Sequence, residues 1–141
     1  MRIEWALVPT SLGIMLVAAT EKGVCRLSFA EGAADLARRF PRAELAEGGP
    51  ALRAVLDQVV AAVEQPGMPA PAIPLDVRGT AFQERIWAEL QRIPAGETRS
   101  YAQLAAAAGR PAAVRAAGSA NGANPVAVLI PCHRVVRSGG A

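Results

Sequence analysis

Apolar and polar residues alternate along the first third of this chain with the two-residue period of strands. Ile3–Val8, Gly13–Ala19 and Val24–Phe29 are apolar stretches, parted by Pro9-Thr10-Ser11 and Glu21-Lys22-Gly23. Short polar turns between three such runs predict an antiparallel meander. The period then lengthens. Ala33–Phe40 reads as a short helix. Leu52, Val55, Leu56, Val59, Val60 and Val63 recur at helical spacing and predict a helix from Pro50 to Glu64. Gln65–Pro74 holds four prolines and a glycine. Such a segment is neither regular helix nor central strand, so a boundary is expected there, with domains over 1–75 and 76–141.

The second half reads as helices. Thr80 is a candidate N-cap, and Phe82, Ile86, Trp87 and Leu90 make one apolar face, stopped at Pro94-Ala95-Gly96. Ser100 caps a second helix through Tyr101, Leu104, Ala105 and Ala108. Gly109-Arg110 predicts a turn, and Pro111 suits the first turn of a third helix ending near Ala120. Two short helices about a tight turn form a helix-turn-helix, or a simple packing unit. Small residues fill the third helix around one long cation, Arg115. A major-groove reader carries several long polar side chains for base edges. This helix suits the minor groove instead, with Arg115 as an inserting finger. The alternative is an alanine-rich packing helix with a surface arginine. Beyond it, Asn121-Gly122-Ala123-Asn124-Pro125 is a turn-rich joint, and Val126–Ile130 is expected to be a strand.

Composition narrows the class. At 141 residues and 52% hydrophobic, the chain is one domain, or two small ones. No run is long and apolar enough to span a bilayer. Leu12–Ala19 lies near the start but has no basic leader, so it reads as a strand and not a signal peptide. Residues 1–77 carry 7 basic and 9 acidic side chains, while residues 78–141 carry 8 basic and 3 acidic. The basic second half points to a polyanionic partner, or to a solvated basic surface. Cys25 and Cys132 are too far apart in sequence to suggest a disulfide framework, and a reducing cytoplasm is the expected setting. With one histidine, the cysteines give no zinc spacing.

That histidine directly follows a cysteine, in Ile130-Pro131-Cys132-His133-Arg134-Val135. Neighbours in an extended strand point to opposite faces, so the pair can cooperate only if the chain turns there or a water links them. Pro131 restricts the chain and makes a strand ending in a turn plausible. Asn124, before a proline, is placed to hydrogen-bond the backbone around the cysteine. A free thiol, with a pKa near ~8.5, is only a few per cent ionised at neutral pH. Nucleophilicity falls as pKa falls, so a more acidic thiol cannot supply the whole acceleration. Positioning, dry surroundings and protonation of a leaving group must supply most of it.

Gly79-Thr80-Ala81-Phe82-Gln83, Ile93-Pro94-Ala95-Gly96-Glu97-Thr98, Ser100-Tyr101, Asn124-Pro125 and the Pro131-Cys132-His133-Arg134-Val135 motif occur in that order. Together they resemble the O6-alkylguanine-DNA alkyltransferases, most closely the C-terminal half of the Ada-type members. The resemblance implies an α+β fold: a ribonuclease-H-like antiparallel sheet with helices, then a helical, winged helix-turn-helix-like DNA-binding domain carrying the cysteine. It implies a monomer that binds double-stranded DNA containing O6-alkylguanine, with no membrane, cofactor or metal. Cys132 is then the alkyl acceptor, for O4-alkylthymine as well. His133 deprotonates it through a water, and Asn124 braces the active turn. Tyr101 presses on the target phosphate and offers its hydroxyl to the guanine ring. Arg115 fills the gap in the stack. Ser100, Ala116 and Gly118 contact DNA. Pro131 and Val135 line the pocket, where the backbone of Cys132 and Val135 accepts from the guanine amine. A base inside a duplex must be flipped out before a thiol can reach it.

The family continues past the cysteine with a Gly-Tyr loop and a helix bearing a glutamate that orients the histidine. This sequence stops at Arg137-Ser138-Gly139-Gly140-Ala141, so a C-terminally shortened protein is expected, with the relay ending at His133. The zinc-bearing, gene-activating part of the Ada-type proteins is not visible, and Gly122 stands where relatives often carry a polar or cationic residue. Two other readings stay open. One is a lesion-binding protein that performs no transfer, or an inactive fragment. The other is a Cys-His hydrolase acting on a substrate other than nucleic acid.

Overall fold

A computed structural model describes residues 1–65, 72–94 and 96–136. The expected proline-rich joint falls largely outside those residues, as do Ala95 of the helix stop and the 137–141 tail. The chain divides into two units, Met1–Val77 and Arg78–Ala141.

The first unit is built on β1 (Arg2–Thr10), β2 (Gly13–Thr20) and β3 (Gly23–Phe29), the expected meander. A fourth strand, β4 (Glu44–Glu47), pairs in parallel with β1, giving the order β3-β2-β1-β4. The sheet is therefore mixed, not purely antiparallel as expected. Two of the four residues of β4 are glutamates, so it gave no strand pattern. It is held by register with β1 and by Leu45, which packs on the core.

Helices α1 (Ala33–Arg39) and α2 (Pro50–Glu64) form where the helical spacing placed them. Leu36 of α1 packs on Ile3, Leu16, Ala18 and Cys25, one face of the pleat. Helix α2 buries Leu52, Val55, Val59 and Val63, and packs on β1, β2 and β3. The alternate residues Met15, Val17 and Ala19 are also fully buried. Covering on both faces explains why β2 reads as a nearly continuous apolar run. Gly23 closes the β2–β3 turn at φ +148, and a β-carbon there would collide with the Pro74 carbonyl. That close approach lets Val24 donate to Pro74 (2.9 Å) and accept from Asp76 (2.8 Å), so residues 74–76 belong with the first unit.

Glu4 is a buried carboxylate, 4% exposed, beneath the start of α2. The Leu52 amide donates to its Oε1 at 3.0 Å, and Arg2 Nε donates to Oε2 at 3.2 Å. The Leu52 bond chiefly holds its pKa below the ordinary 4.5, with help from Arg2 and Ala51 and against the opposing effect of burial. Its folded value thus lies below its unfolded one. The stabilisation is complete above the unfolded value and is lost as pH falls through the folded value. Glu4→Gln is expected to lower the urea midpoint at neutral pH, with the gap to wild type closing below about pH 4.5. A gap independent of pH would show that the carboxylate charge does not cap α2.

In the second unit, α3 (Ala81–Gln91) starts at Thr80. The Thr80 Oγ1 accepts from the Gln83 amide, and the Gln83 side chain accepts from the Thr80 amide. A two-residue strand, β5 (Arg99–Ser100), leads into α4 (Tyr101–Ala107), where Ser100 and Gln103 repeat the same reciprocal cap. Helix α4 ends in a Schellman motif: Gly109 at φ +85 donates to Ala106, and Arg110 donates to Ala105. The next helix, α5 (Val114–Gly122), starts three residues later than expected. Pro111 instead occupies the second position of a turn closed by the Ala113 amide on the Arg110 carbonyl, a position that proline's fixed φ favours. The unit is not all helical, because β5 pairs in parallel with β6 (Val135–Val136). Among the described residues no helix is long and apolar enough to cross a membrane.

Candidate active site

The expected strand Val126–Ile130 is instead a compact turn. Ile130 donates to Val126 at 3.1 Å, Leu129 donates to Ala127 at 2.8 Å, and Val128 sits at φ +71. Its apolar run resembles a strand because Val126 and Ile130 are fully buried, not because the chain is extended. Asn124 holds the turn shut. Its Nδ2 donates to the Ile130 carbonyl at 2.7 Å, and its Oδ1 accepts from the Val126 amide at 3.0 Å. Both backbone groups lie out of water, where each unmade bond costs about 1–3 kcal/mol.

The chain then enters a single 3-10 turn, Cys132–His133–Arg134, with Pro131 at its start. The Cys132 amide donates to Ile130 (2.8 Å) and the Arg134 amide to Pro131 (3.1 Å). Consecutive side chains on such a turn diverge by about 120°. Accordingly Cys132 is half-buried while His133 is exposed. Among the described residues the His133 ring makes no hydrogen bond, so adjacency in sequence does not by itself give a bonded Cys–His pair.

Three contacts fix this turn within its unit. Val135, nearly buried, pairs with Arg99, and Val136 pairs with Ser100. Arg134 Nη1 donates to the Ile93 carbonyl at 2.7 Å, just past the end of α3, where a cation complements the helix dipole. Ser100 caps α4 and Tyr101 opens it, so the short β5–β6 ladder ties the start of α4 to the strand that leaves the cysteine turn. Trp87 of α3 donates from Nε1 to the Ala120 carbonyl of α5 at 2.9 Å. Helix α3 is thus bonded at one side chain to α5 and at its end to the cysteine turn.

On α5, Arg115 and Ala116 are exposed and Ala117 and Ala120 are buried. A β-carbon on Gly118 would lie 3.9 Å from Cδ1 and Cε1 of Tyr101, which places the half-buried phenol ring against this helix at its smallest residue. Among the described residues Arg115 makes no ion pair, whereas Arg92 pairs with Glu89 (2.7 Å), Arg99 pairs with Glu97 (3.3 Å), and Arg110 lies over the Phe82 ring at 5.1 Å. The structure therefore sets Tyr101 against Gly118, and holds Asn124, Pro131, Cys132 and Val135 in one bonded segment that the β5–β6 ladder joins to Ser100, the residue before Tyr101. Arg115, Ala116 and His133 remain on the surface. A cleft of about 260 Å³ beside Arg92, Ile93 and Arg99 includes neither Cys132 nor Tyr101. Among the described residues no three His, Cys, Asp or Glu side chains converge as a metal cluster.

Two residues of this region had no role in the sequence reading. Arg134 belongs to the cysteine motif, and its bond to a carbonyl 41 positions earlier has no sequence signal. Asn121 falls in the turn-rich joint that the sequence predicts. It is a helical residue, 9% exposed, and its Oδ1 has no hydrogen-bond partner. Helical burial of an asparagine six residues beyond Arg115 is a signal that a helix extended past Ala120 could have supplied.

Comparison with known proteins converges on one group. A model of the 6-O-methylguanine DNA methyltransferase DNA-binding domain matches residues 81–141. The Bifunctional transcriptional activator/DNA repair enzyme Ada of Escherichia coli is 44% identical over 142 residues, covering 98% of this chain and 40% of its own length. A methylated-DNA–protein-cysteine methyltransferase of Mycolicibacterium paratuberculosis is 56% identical over 68 residues, covering 48% of this chain and 41% of its own. Among solved structures, the Mycobacterium tuberculosis O6-methylguanine methyltransferase superposes with a TM-score of 0.79 at 33% identity, over 98% of this chain and 81% of that one. The same organism's OGT in complex with DNA gives 0.74 at 33% identity, over 99% and 81%. The chain spans about two fifths of the length of the curated relatives it matches.

Proposed function

The chain belongs to the 6-O-methylguanine DNA methyltransferase family, and from that premise we propose that it repairs DNA by direct reversal of alkylation. Cys132 takes the alkyl group from O6 of a flipped-out guanine in one displacement, and from O4 of an alkylated thymine by the same chemistry. The carbon–sulfur bond forms as the carbon–oxygen bond breaks. The thiol proton leaves through a water to His133, and the base recovers a proton on its ring. The thioether has no good leaving group, so each molecule acts once, as a monomer on double-stranded DNA.

The observation that carries this reading is the placement of the thiol. It is half-buried at the head of a rigid turn whose backbone is bonded to Asn124, to α3 through Arg134, and to the strand that precedes Tyr101. A nucleophile held this way loses little entropy on attack. Tyr101 at the start of α4 presents its hydroxyl to the base, so that the departing oxygen leaves with less charge. The small, exposed face of α5 admits a close approach to the minor groove, and the unpaired Arg115 occupies the vacated stack. Pro131 and Val135 shape the pocket, and Ser100, Ala116 and Gly118 lie along the DNA contact.

The test is transfer itself. A duplex carrying labelled O6-methylguanine is expected to leave one label per chain, on the peptide containing Cys132. Tight lesion binding without label, or repeated turnover of an ester with no affinity for DNA, would overturn the proposal. Arg115→Ala is expected to slow transfer from duplex at least about tenfold while leaving transfer from free O6-benzylguanine within about twofold. Equal losses on both substrates count against the finger role.

A further inference from the structure

Among the described residues, one buried side-chain polar atom lacks a hydrogen-bond partner, and it lies beside the site: Oδ1 of Asn121. Native structures rarely leave such an atom unpaired, because its lost hydration is not replaced. An apolar residue of the same size would avoid that loss. The position of the amide shows what it can serve. At 100° per residue, Asn121 lies on α5 between Ala117 and Gly118. Ala117 is fully buried, and Gly118 faces the Tyr101 ring. Asn121 is one helical turn beyond that ring, on the same side of α5. Its own carbonyl accepts from the Asn124 amide at 3.3 Å. Asn124 in turn holds Ile130, whose carbonyl receives the Cys132 amide. Asn121 therefore stands on α5 one turn beyond the Tyr101 contact, and its backbone is bonded to the residue that braces the thiol turn.

We infer that Asn121 is a specificity-determining residue of the base site, its Oδ1 accepting a hydrogen bond from the exocyclic amine of the extrahelical guanine. The inference rests on the alkyl-transfer reading given above. O6-alkylation removes the N1 proton, so N1, N3 and N7 are all acceptors and the amine is the one donor the base offers. An acceptor such as Oδ1 can pair with no other group on that ring. The amine has two hydrogens, enough for Oδ1 and for a main-chain carbonyl of Cys132 or Val135 together. O4-alkylthymine has no donor, so the same oxygen favours guanine lesions over thymine lesions.

The experiment compares two duplex lesions that differ only by this amine, O6-methylguanine and O6-methylhypoxanthine. Single-turnover transfer to Cys132 is measured on each with wild type and with Asn121→Leu. The ratio of the two rates does not depend on the fraction of protein that is folded. Wild type is expected to prefer the guanine lesion, and Asn121→Leu to reduce that preference about tenfold, because the guanine lesion is slowed more than the hypoxanthine one. Asn121→Ala, which removes the amide without adding bulk, gives the same fall. An unchanged preference in both variants, with wild type active, overturns the inference alone. Wild type that transfers from neither lesion overturns the alkyl-transfer reading and the inference with it.

Discussion

Cys132→Ser is expected to reduce alkyl transfer to the uncatalysed background while leaving the fold and lesion binding in place. A serine hydroxyl stays protonated near neutral pH and is far less nucleophilic towards saturated carbon than sulfur. The substitution changes one atom on a half-buried side chain whose backbone bonds are untouched. Stability should therefore move by less than about 1 kcal/mol. Cys25 provides an internal control. It is 4% exposed within the core of the first unit, so a thiol is present in the variant but cannot reach DNA. Peptide mass after exposure to an O6-methylguanine duplex checks this directly. Methyl on Cys25, or full-rate removal of the lesion by the serine variant, contradicts the assignment of the acceptor.

Asn124→Ala is expected to slow transfer about a hundredfold and to lower unfolding stability by roughly 2–3 kcal/mol. The variant loses both side-chain bonds across the turn, leaving the buried Val126 amide without its Asn124 acceptor and the Ile130 carbonyl with only the Cys132 amide. The turn can then relax, and the Cys132 amide relaxes with it. A shift of about 1 Å at a reacting atom is enough to cost two orders of magnitude. Asn124→Asp separates the two bonds. It retains an acceptor for Val126 but sets a carboxylate oxygen against the Ile130 carbonyl, so it should be no better than alanine. Thermal melts and single-turnover rates read both effects. Wild-type rate with an unchanged melt would show that the turn holds itself without the asparagine.

Much of the first unit was legible because its signals are local. The meander, α1 and α2 follow from period and turn chemistry within short windows. Thr80 and Ser100 cap their helices as their residue types suggested, each with a glutamine three positions on. β4 escaped because it exists only through its register with β1. The start of α5 was misplaced because proline suits the first turn of a helix and the second place of a turn equally well, and local sequence does not choose between them.

The site divides along the same line. The motif around Cys132, the phenol of Tyr101 and the lone cation on α5 were readable as chemistry, since each is a residue type in a telling neighbourhood. The apolar run Val126–Ile130 misled, because burial and extension leave the same mark on a short segment. What the sequence alone determined is the inventory: a nucleophile, a base, a phenol, an arginine among small residues, and caps that start each helix. The tertiary structure decided which of these meet. It turned the cysteine inward and the histidine outward on one 3-10 turn, joined that turn to α3 through Arg134, and left a buried asparagine oxygen of α5 unpaired among the described residues. Those outcomes depend on bonds between residues up to 41 positions apart, and no local pattern encodes where a distant carbonyl will stand.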